Sequence, residues 1–428
     1  MKRPVVISLL IVALVLVCAG IGTVLFFSFN GGLPTILSDA PLLTSQAEES
    51  ETLEVGGPVT LKVVDESGKV TVTGADVDEV MVNVMMSGLG ATKAKADEAL
   101  ANIQYEIDQD GDTITLTFEY PKIRTQIYQR VDFNVTVPVE TEVDIIASAG
   151  TVSVTGVQGQ VGIENNFGDI AVEDVEGALV VKTDSGRIDV TSVQAGSEDI
   201  DLYSGFGSIY LSQVSGAGIA VESRSGKLDL ENVRVTKDME LDSDFGSIDY
   251  ETGSAGSLDV STKSGSITLT SLTVRGALTL RDDFGDITIE KVKAASYDAQ
   301  TSSGSITVDG VEGELRAHTG FGNITVKNAK EASLDLNTKS GSVDFEGSLG
   351  NGPHTIHSDF GEIEVSIPAD SALDVDFYTD FGKIRSEIPV TLSGDIDQAH
   401  QTGTINSGGD QLSVSTKSGG ITIKALGG

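Results

Sequence analysis

Phe167, Phe206, Phe245, Phe284, Phe321 and Phe360 recur in this sequence at nearly even spacing, each directly before a glycine. Aromatic faces repeated along a line are suited to stacking on sugar rings. Midway between them stand Ser185, Ser225, Ser264, Ser303 and Ser340, also directly before glycines. The residue one place earlier is often acidic beside Phe (Asp244, Asp283, Asp359, Asp380) and basic beside Ser (Arg224, Lys263, Lys339, Lys417). Stacked in neighbouring strands, these would form a ladder of opposite charges that fixes register.

Other candidates for chemistry are weaker. Paired carboxylates on adjacent turns of a β-helix can cleave glycosidic bonds, and Asp229 and Asp249 occupy equivalent places in two successive repeats. An exposed acidic pair is ordinarily a solvated face, and no Trp is present to build a sugar groove. Asp282 and Asp283 are sequence neighbours and point to opposite sides of a strand. His354 and His357 have a spacing compatible with joint ligation, but Pro353 and a strand context oppose it, and His318 and His400 join no pattern. Asp-Phe-Gly occurs four times without the glycine-rich loop and His-Arg-Asp companions of a kinase. Thr268, Thr288, Thr307 and Thr325 form an outward column, for which strand propensity is sufficient reason.

The elements that must position these residues are set by the glycine itself. It recurs at 150, 168, 186, 207, 226, 246, 265, 285, 304, 322, 341, 361, 382, 403 and 419, a period of about nineteen residues that marks a repeat architecture. Two and four places after it stand apolar residues, as in Ile248 and Tyr250 or Ile267 and Leu269. Five places before it stand Val181, Leu202, Val221, Leu241, Val260 and Leu280, and three places before it mostly Ser or Thr. Each repeat therefore holds two short strands with alternating faces, and a further apolar residue (Val175, Val193, Val214, Val233, Leu272, Val292, Val311) follows the turn after the second. Such strands become stable when coiled one turn above the next, about 4.8 Å apart. The expected fold is a mainly β, parallel β-solenoid of about fourteen turns, right-handed like most parallel crossovers, with a corner glycine suited to positive φ.

Strict alternation places the Phe/Ser position inward, large above small in an interdigitated core. The other reading is an exposed aromatic strip, in which the corner glycine resets the in–out phase. Phe381 follows Phe360 without an intervening Ser, so the regular rod is expected to end there.

Lys2 and Arg3 precede an uncharged apolar run over residues 5–29, long enough to cross a bilayer. With the positive charges held inside, everything downstream lies outside the cytoplasm. The domains are read as 1–4, a cytoplasmic n-region; 5–29, a transmembrane signal anchor; and 30–51, a stalk. Then come 52–147, an α+β cap with strands at 59–64, 68–73, 79–86, 103–108, 113–119 and 131–137 and a helix within 91–104. The solenoid repeats occupy 148–385, and 386–428 form C-terminal rungs and a cap. A cap would cover the exposed edge of the first turn.

The formal net charge of −36 excludes a nucleic-acid binder, which needs basic stripes, and opposes side-by-side association. No acidic run has cation-ligand spacing, so no metal or cofactor is expected. The single Cys18 allows no intrachain disulfide.

The rungs KSGSITL and DFGDITI, the strand-rich start (SGKVTVTG, then VDFNVTVPVETEVDIIASAGTVSV) and the end (INSGG, then TKSGGITI) resemble the bacterial "putative adhesin" β-solenoid family over roughly residues 52–428. The resemblance implies a cell-envelope protein, often membrane-anchored, without catalytic residues. The expected function is a non-enzymatic, membrane-anchored surface protein whose rod contacts surface glycans or envelope proteins. The alternatives are an envelope sensor or scaffold subunit and a carbohydrate-active β-helix enzyme.

Overall fold

The computed structural model describes residues 42–120, 128–393 and 398–427. The expected n-region and signal anchor (1–4, 5–29) and the first part of the stalk lie outside the described residues. Among the described residues no helix is long and apolar enough to cross a membrane.

The chain is mainly β, with a single helix among the described residues, Lys93–Ala101. Its core is a coil of two parallel strands per turn. One stack runs from Thr141–Ala149 through strands such as Asp238–Phe245 to His354–Phe360, and the other from Val152–Thr155 through Ile248–Ala255 to Ile363–Ile367. Each strand pairs in register with its copy one repeat away, as in Ile219↔Met239↔Leu258↔Leu278. The apolar positions read from the sequence line one continuous core, including Val181, Leu202, Leu241, Ile248 and Ile267. Between Gly150 and Gly361 the coil makes about 11 turns, not the expected fourteen. The last three glycine marks are not successive turns, as shown below.

The corner glycine is required by crowding. A Cβ on Gly246 would lie 2.0 Å from the carbonyl oxygen of Gly226, one on Gly265 2.2 Å from that of Gly246, and one on Gly304 1.8 Å from that of Gly285. Neighbouring turns approach so closely that only hydrogen fits. The expected positive φ occurs at Gly150 and Gly168 (135° and 133°), while Gly207, Gly265 and Gly419 are close to extended at 157° or 158° and Gly246, Gly285 and Gly304 lie outside the left-handed range. The feature these corners share is the close approach. The Ser/Thr column three places earlier closes it: Ser204, Thr262, Thr301 and Thr338 donate to the carbonyls of Gly186, Gly246, Gly285 and Gly322 on the adjacent turn.

The left-handed residues sit at the other corner, six places after the glycine: Asp174, Ser192, Gln213, Asn232, Thr252, Ser271 and Lys291, with φ from 53° to 58°. Each inserts one residue into the alternation and turns the next apolar side chain, such as Val193 or Val233, inward. Holding non-glycine residues there costs of order 1 kcal/mol apiece, which the aligned core of the stacked turns offsets.

Both ends are interlaced. At the N-terminal end, Val59–Asp65 lies between Thr141–Ala149 and Thr113–Phe118, and Val70–Ala75 between Val152–Thr155 and Tyr128–Pro138. The turn around Gly68 is thus a member of the coil, although the expected solenoid began at residue 148. Leu43–Glu54 pairs antiparallel with Glu79–Gly90, so residues 43–51 are strand and not stalk. The helix packs on Glu79–Gly90 through Ala96 and Ala99. At the C-terminal end, Asp410–Ser418 inserts between His354–Phe360 and Leu373–Phe381. Gly403 belongs to His400–Ile405, which is antiparallel to Leu373–Phe381.

Candidate functional site: an aromatic ladder along one corner

In Asp238–Phe245 the buried positions are Met239, Leu241 and Ser243, so alternation would bury Phe245 as well. The chain instead turns at Gly246, and Ile248 and Tyr250 resume the inward phase on the opposite parity. Residues 244–247 bridge the two parities and face outward or sideways. Phe167, Phe206, Phe245, Phe284, Phe321 and Phe360 are consequently 58 to 65% exposed, and Phe381 is 79% exposed. The expected interdigitated Phe/Ser core is overturned, because the corner resets the phase.

In-register pairing makes these side chains one column. Phe167 is flanked by Ala149 and Ser185, Phe206 by Ser185 and Ser225, and Phe245 by Ser225 and Ser264. Phe284 faces Ser264, Phe321 lies between Ser303 and Ser340, and Phe360 faces Ser340. The inserted C-terminal strand then places Ser418 beside both Phe360 and Phe381. The alternation that breaks in the sequence is therefore continuous in space. A ring every second turn gives a spacing of about 9.6 Å, and no aromatic contact joins these rings to one another among the described residues.

Around the ladder the expected charge pairs form at Lys263–Asp244 and at Lys417–Asp359, the latter 2.5 Å long and made possible by the inserted strand. The Lys417 ammonium holds the Asp359 carboxyl below its ordinary range. Arg224 lies over the ring of Tyr203 on the next turn. Thr268, Thr288, Thr307 and Thr325 do stack in register.

Asp229 and Asp249 are paired across neighbouring turns, but the Lys227 ammonium sits 2.8 Å from each carboxylate. Its own pKa is raised by those hydrogen bonds. The arrangement is a clamped ion triad and not an acid–base couple. His354 is buried in the core, where burial lowers its pKa, while His357 faces Ser415 and Asp359 on the outside. The two are not brought together, and no group of three or more His, Cys, Asp or Glu side chains converges among the described residues.

Two features were not foreseen from the sequence. At the second corner a shallow polar groove of about 300 Å³ is lined by Asp174, Ser192, Gln194, Gln213, Asn232 and Arg234. In the buried Ser/Thr column, Asp65 and Asp282 replace the hydroxyl residue, and the Oδ2 of each lacks a hydrogen-bond partner. Burial raises their pKa values to about 7 and about 6. Their place three residues before a corner glycine was the available signal.

A family model described as Toastrack DUF4097 matches residues 59–272, 177–320 and 251–424. Among solved structures, a "putative cell adhesion protein" from Clostridium sporogenes is 9% identical, with 89% of this chain and 100% of that one covered and a TM-score of 0.22. A "putative adhesin" from Bacteroides fragilis is 13% identical, with 71% and 98% covered and a TM-score of 0.29. Another from Parabacteroides merdae is 13% identical, with 70% and 95% covered and a TM-score of 0.22. No protein of curated function matches the sequence.

Proposed function

The chain belongs to the Toastrack DUF4097 family, a description that gives no activity, and from that premise we propose that it is a non-enzymatic, adhesin-like interaction protein. Its working surface is the corner ladder. The observation that carries this reading is the line of exposed phenylalanines, from Phe167 to Phe381, on a rigid coil whose other large apolar side chains are mostly buried. Large apolar side chains left exposed in one column support an interaction surface there. Each ring offers a weak contact, and fixed spacing lets many act together, so binding gains through multivalency.

The apolar run over residues 5–29, preceded by Lys2 and Arg3, supports a single membrane span with the rod outside the cytoplasm. The partners on this reading are surface glycans or envelope proteins. The Lys227 clamp speaks against the carbohydrate-enzyme alternative, because it ties up the stacked carboxylates.

The test is attachment of cells displaying the protein to surfaces coated with envelope material. The triple variant Phe245→Ser, Phe284→Ser, Phe321→Ser alters exposed positions only and leaves the core in place. Attachment is expected to fall at least about tenfold if each ring contributes as a typical contact residue. Unchanged attachment would remove the ladder from the function.

A further inference from the structure

We propose that the partner recognised by the ladder is a second copy of this chain, docked antiparallel along the corner with an offset of one turn; this rests on the reading that the ladder is a contact surface. Three features of the ladder are self-complementary. The first is size. Phenylalanine alternates with serine at every turn, even where the chain order would break the pattern, so the knobs of one rod match the gaps of another. Within one rod the rings stand about 9.6 Å apart, too far to touch, whereas rings from two rods interleaved by one turn lie about 4.8 Å apart. That falls inside the range of about 4.5–7 Å favoured by aromatic pairs.

The second feature is charge. Four of the seven Phe turns carry acid one place before the ring (Asp244, Asp283, Asp359, Asp380), and four of the six Ser turns between them carry base there (Arg224, Lys263, Lys339, Lys417), with Asn166, Gly205, Gly320, Asp184 and Ser302 at the rest. Lys263 and Lys417 already pair with Asp244 and Asp359 of their own rod. A two-fold axis parallel to the rods would place Phe opposite Phe at equal height and bring unlike edges of the ladder together. A two-fold axis perpendicular to the rods and lying along the corner strands keeps the acidic and basic edge on the same side of both. It also permits the one-turn offset, so Phe meets Ser; in the register that sets Ser303 opposite Phe284, Asp244 faces Lys339 and Asp359 faces Arg224, while Asp380 faces Asp184 near the ends. Only the antiparallel pair satisfies both conditions and remains closed.

The third is area. An aromatic side chain offers about 150–250 Å², and these rings are roughly three-fifths exposed. The ladder can therefore bury roughly 700–1,000 Å² per rod, against about 800 Å² per partner in a standard stable interface. The opposing effect is the net charge of −36 per chain, which repels at long range and is screened by salt. Pairing should therefore strengthen as salt rises.

The test uses the full chain in mild detergent, with Cys18→Ser as background. Sedimentation should show a monomer–dimer equilibrium that moves toward dimer between about 0.01 M and 0.15 M salt. Phe245→Ser, Phe284→Ser, Phe321→Ser should weaken it at least about tenfold. A short thiol cross-linker should join copies carrying Ser264→Cys or Ser303→Cys, near the middle of the ladder, and fail with Ser185→Cys or Ser418→Cys, near its ends. A chain that stays monomeric throughout, or cross-links equally at all four positions, overturns the proposal. If it stays monomeric while the triple variant still loses attachment, the ladder reading stands and only self-pairing falls. If attachment survives the triple variant, the ladder reading itself falls.

Discussion

Phe360 pairs in register with Ser418, from the strand Asp410–Ser418 near the end of the chain, and not with Phe381, which lies one turn further out on the opposite side of Ser418. The C-terminal strand is thereby held between two earlier turns: Gly361 donates its N–H to the Ser418 carbonyl, and Gly419 donates to that of Phe381. The first turn is held in the same way at the other end, so neither terminal strand of the coil can peel off as an outermost layer. Adjacent parallel strands are about 4.8 Å apart, within disulfide reach, whereas two turns exceed about 7 Å. In a Cys18→Ser background, Phe360→Cys with Ser418→Cys is expected to oxidise to a disulfide, and Phe360→Cys with Phe381→Cys is not. Mass spectrometry of the oxidised protein decides between this order and simple sequential stacking.

The glycine ladder predicts a sharp contrast between a glycine on it and one beside it. A Cβ on Gly246 would sit 2.0 Å from a backbone carbonyl that cannot move without parting two turns, while on Gly420 the nearest atom is 3.4 Å away. Gly246→Ala is expected to cost about 1–3 kcal/mol or more, and Gly420→Ala within about 0.5 kcal/mol. Urea denaturation midpoints measure both. Equal effects would mean that the corner tolerates side chains and that the glycines serve some other end.

The coil was legible because its signal is local. Parity within Asp238–Phe245 and within Ile248–Ala255 identifies the buried side chains one strand at a time, and the period supplies the stacking. The aromatic ladder was misread because side-chain direction at a corner depends on backbone dihedrals that parity does not encode. Serine, as Phe's alternate at that position, was the hint of exposure. The ends were illegible for a different reason: a period orders turns by sequence, and here spatial order departs from it. Gly68 lies directly against Gly150 in space, but more than eighty residues separate them in sequence, so the period does not reach it. Phe381 following Phe360 without a serine was the visible trace of the inserted C-terminal turn.

Within one turn, Tyr250 and Gly253 are matched in size. The Tyr250 hydroxyl donates to the Val233 carbonyl at 2.7 Å, and a Cβ on Gly253 would fall 2.2 Å from that carbonyl oxygen and 2.3 Å from the hydroxyl oxygen. The turns on either side hold Leu230 with Val233 and Leu269 with Leu272 at the same places. Gly253→Val alone should be severely destabilising, and Tyr250→Leu alone should leave a cavity costing about 2 kcal/mol. The double variant restores the neighbouring pattern, so its cost should be smaller than the sum by at least about 1 kcal/mol. Additive costs in a double-mutant cycle would refute the coupling.

Asp282 stands where Thr262 and Thr301 donate hydroxyls to glycine carbonyls. Its Oδ1 accepts from the Phe284 N–H at 3.0 Å, and its Oδ2 has no partner. Only the protonated acid can act as a donor there. Burial, reinforced by the charge of Asp283, accordingly raises its pKa to about 6, and burial raises that of Asp65 to about 7. Both folded-state values lie above the ordinary 3.8, so the native state binds these protons more tightly than the unfolded chain. Their effect on stability is therefore unfavourable above about pH 7 and is relieved as pH falls toward about 4. Asp282→Thr supplies a permanent donor, and at about pH 8 it should stabilise by roughly 1–3 kcal/mol, the cost of an unsatisfied buried polar group. The gain should shrink steadily toward about pH 4. Denaturation of both proteins across this range isolates the term from the titration of surface carboxylates, which the two share. A gain independent of pH would show that Asp282 is not protonated in the fold, and no gain at pH 8 would show that its Oδ2 is satisfied by other means.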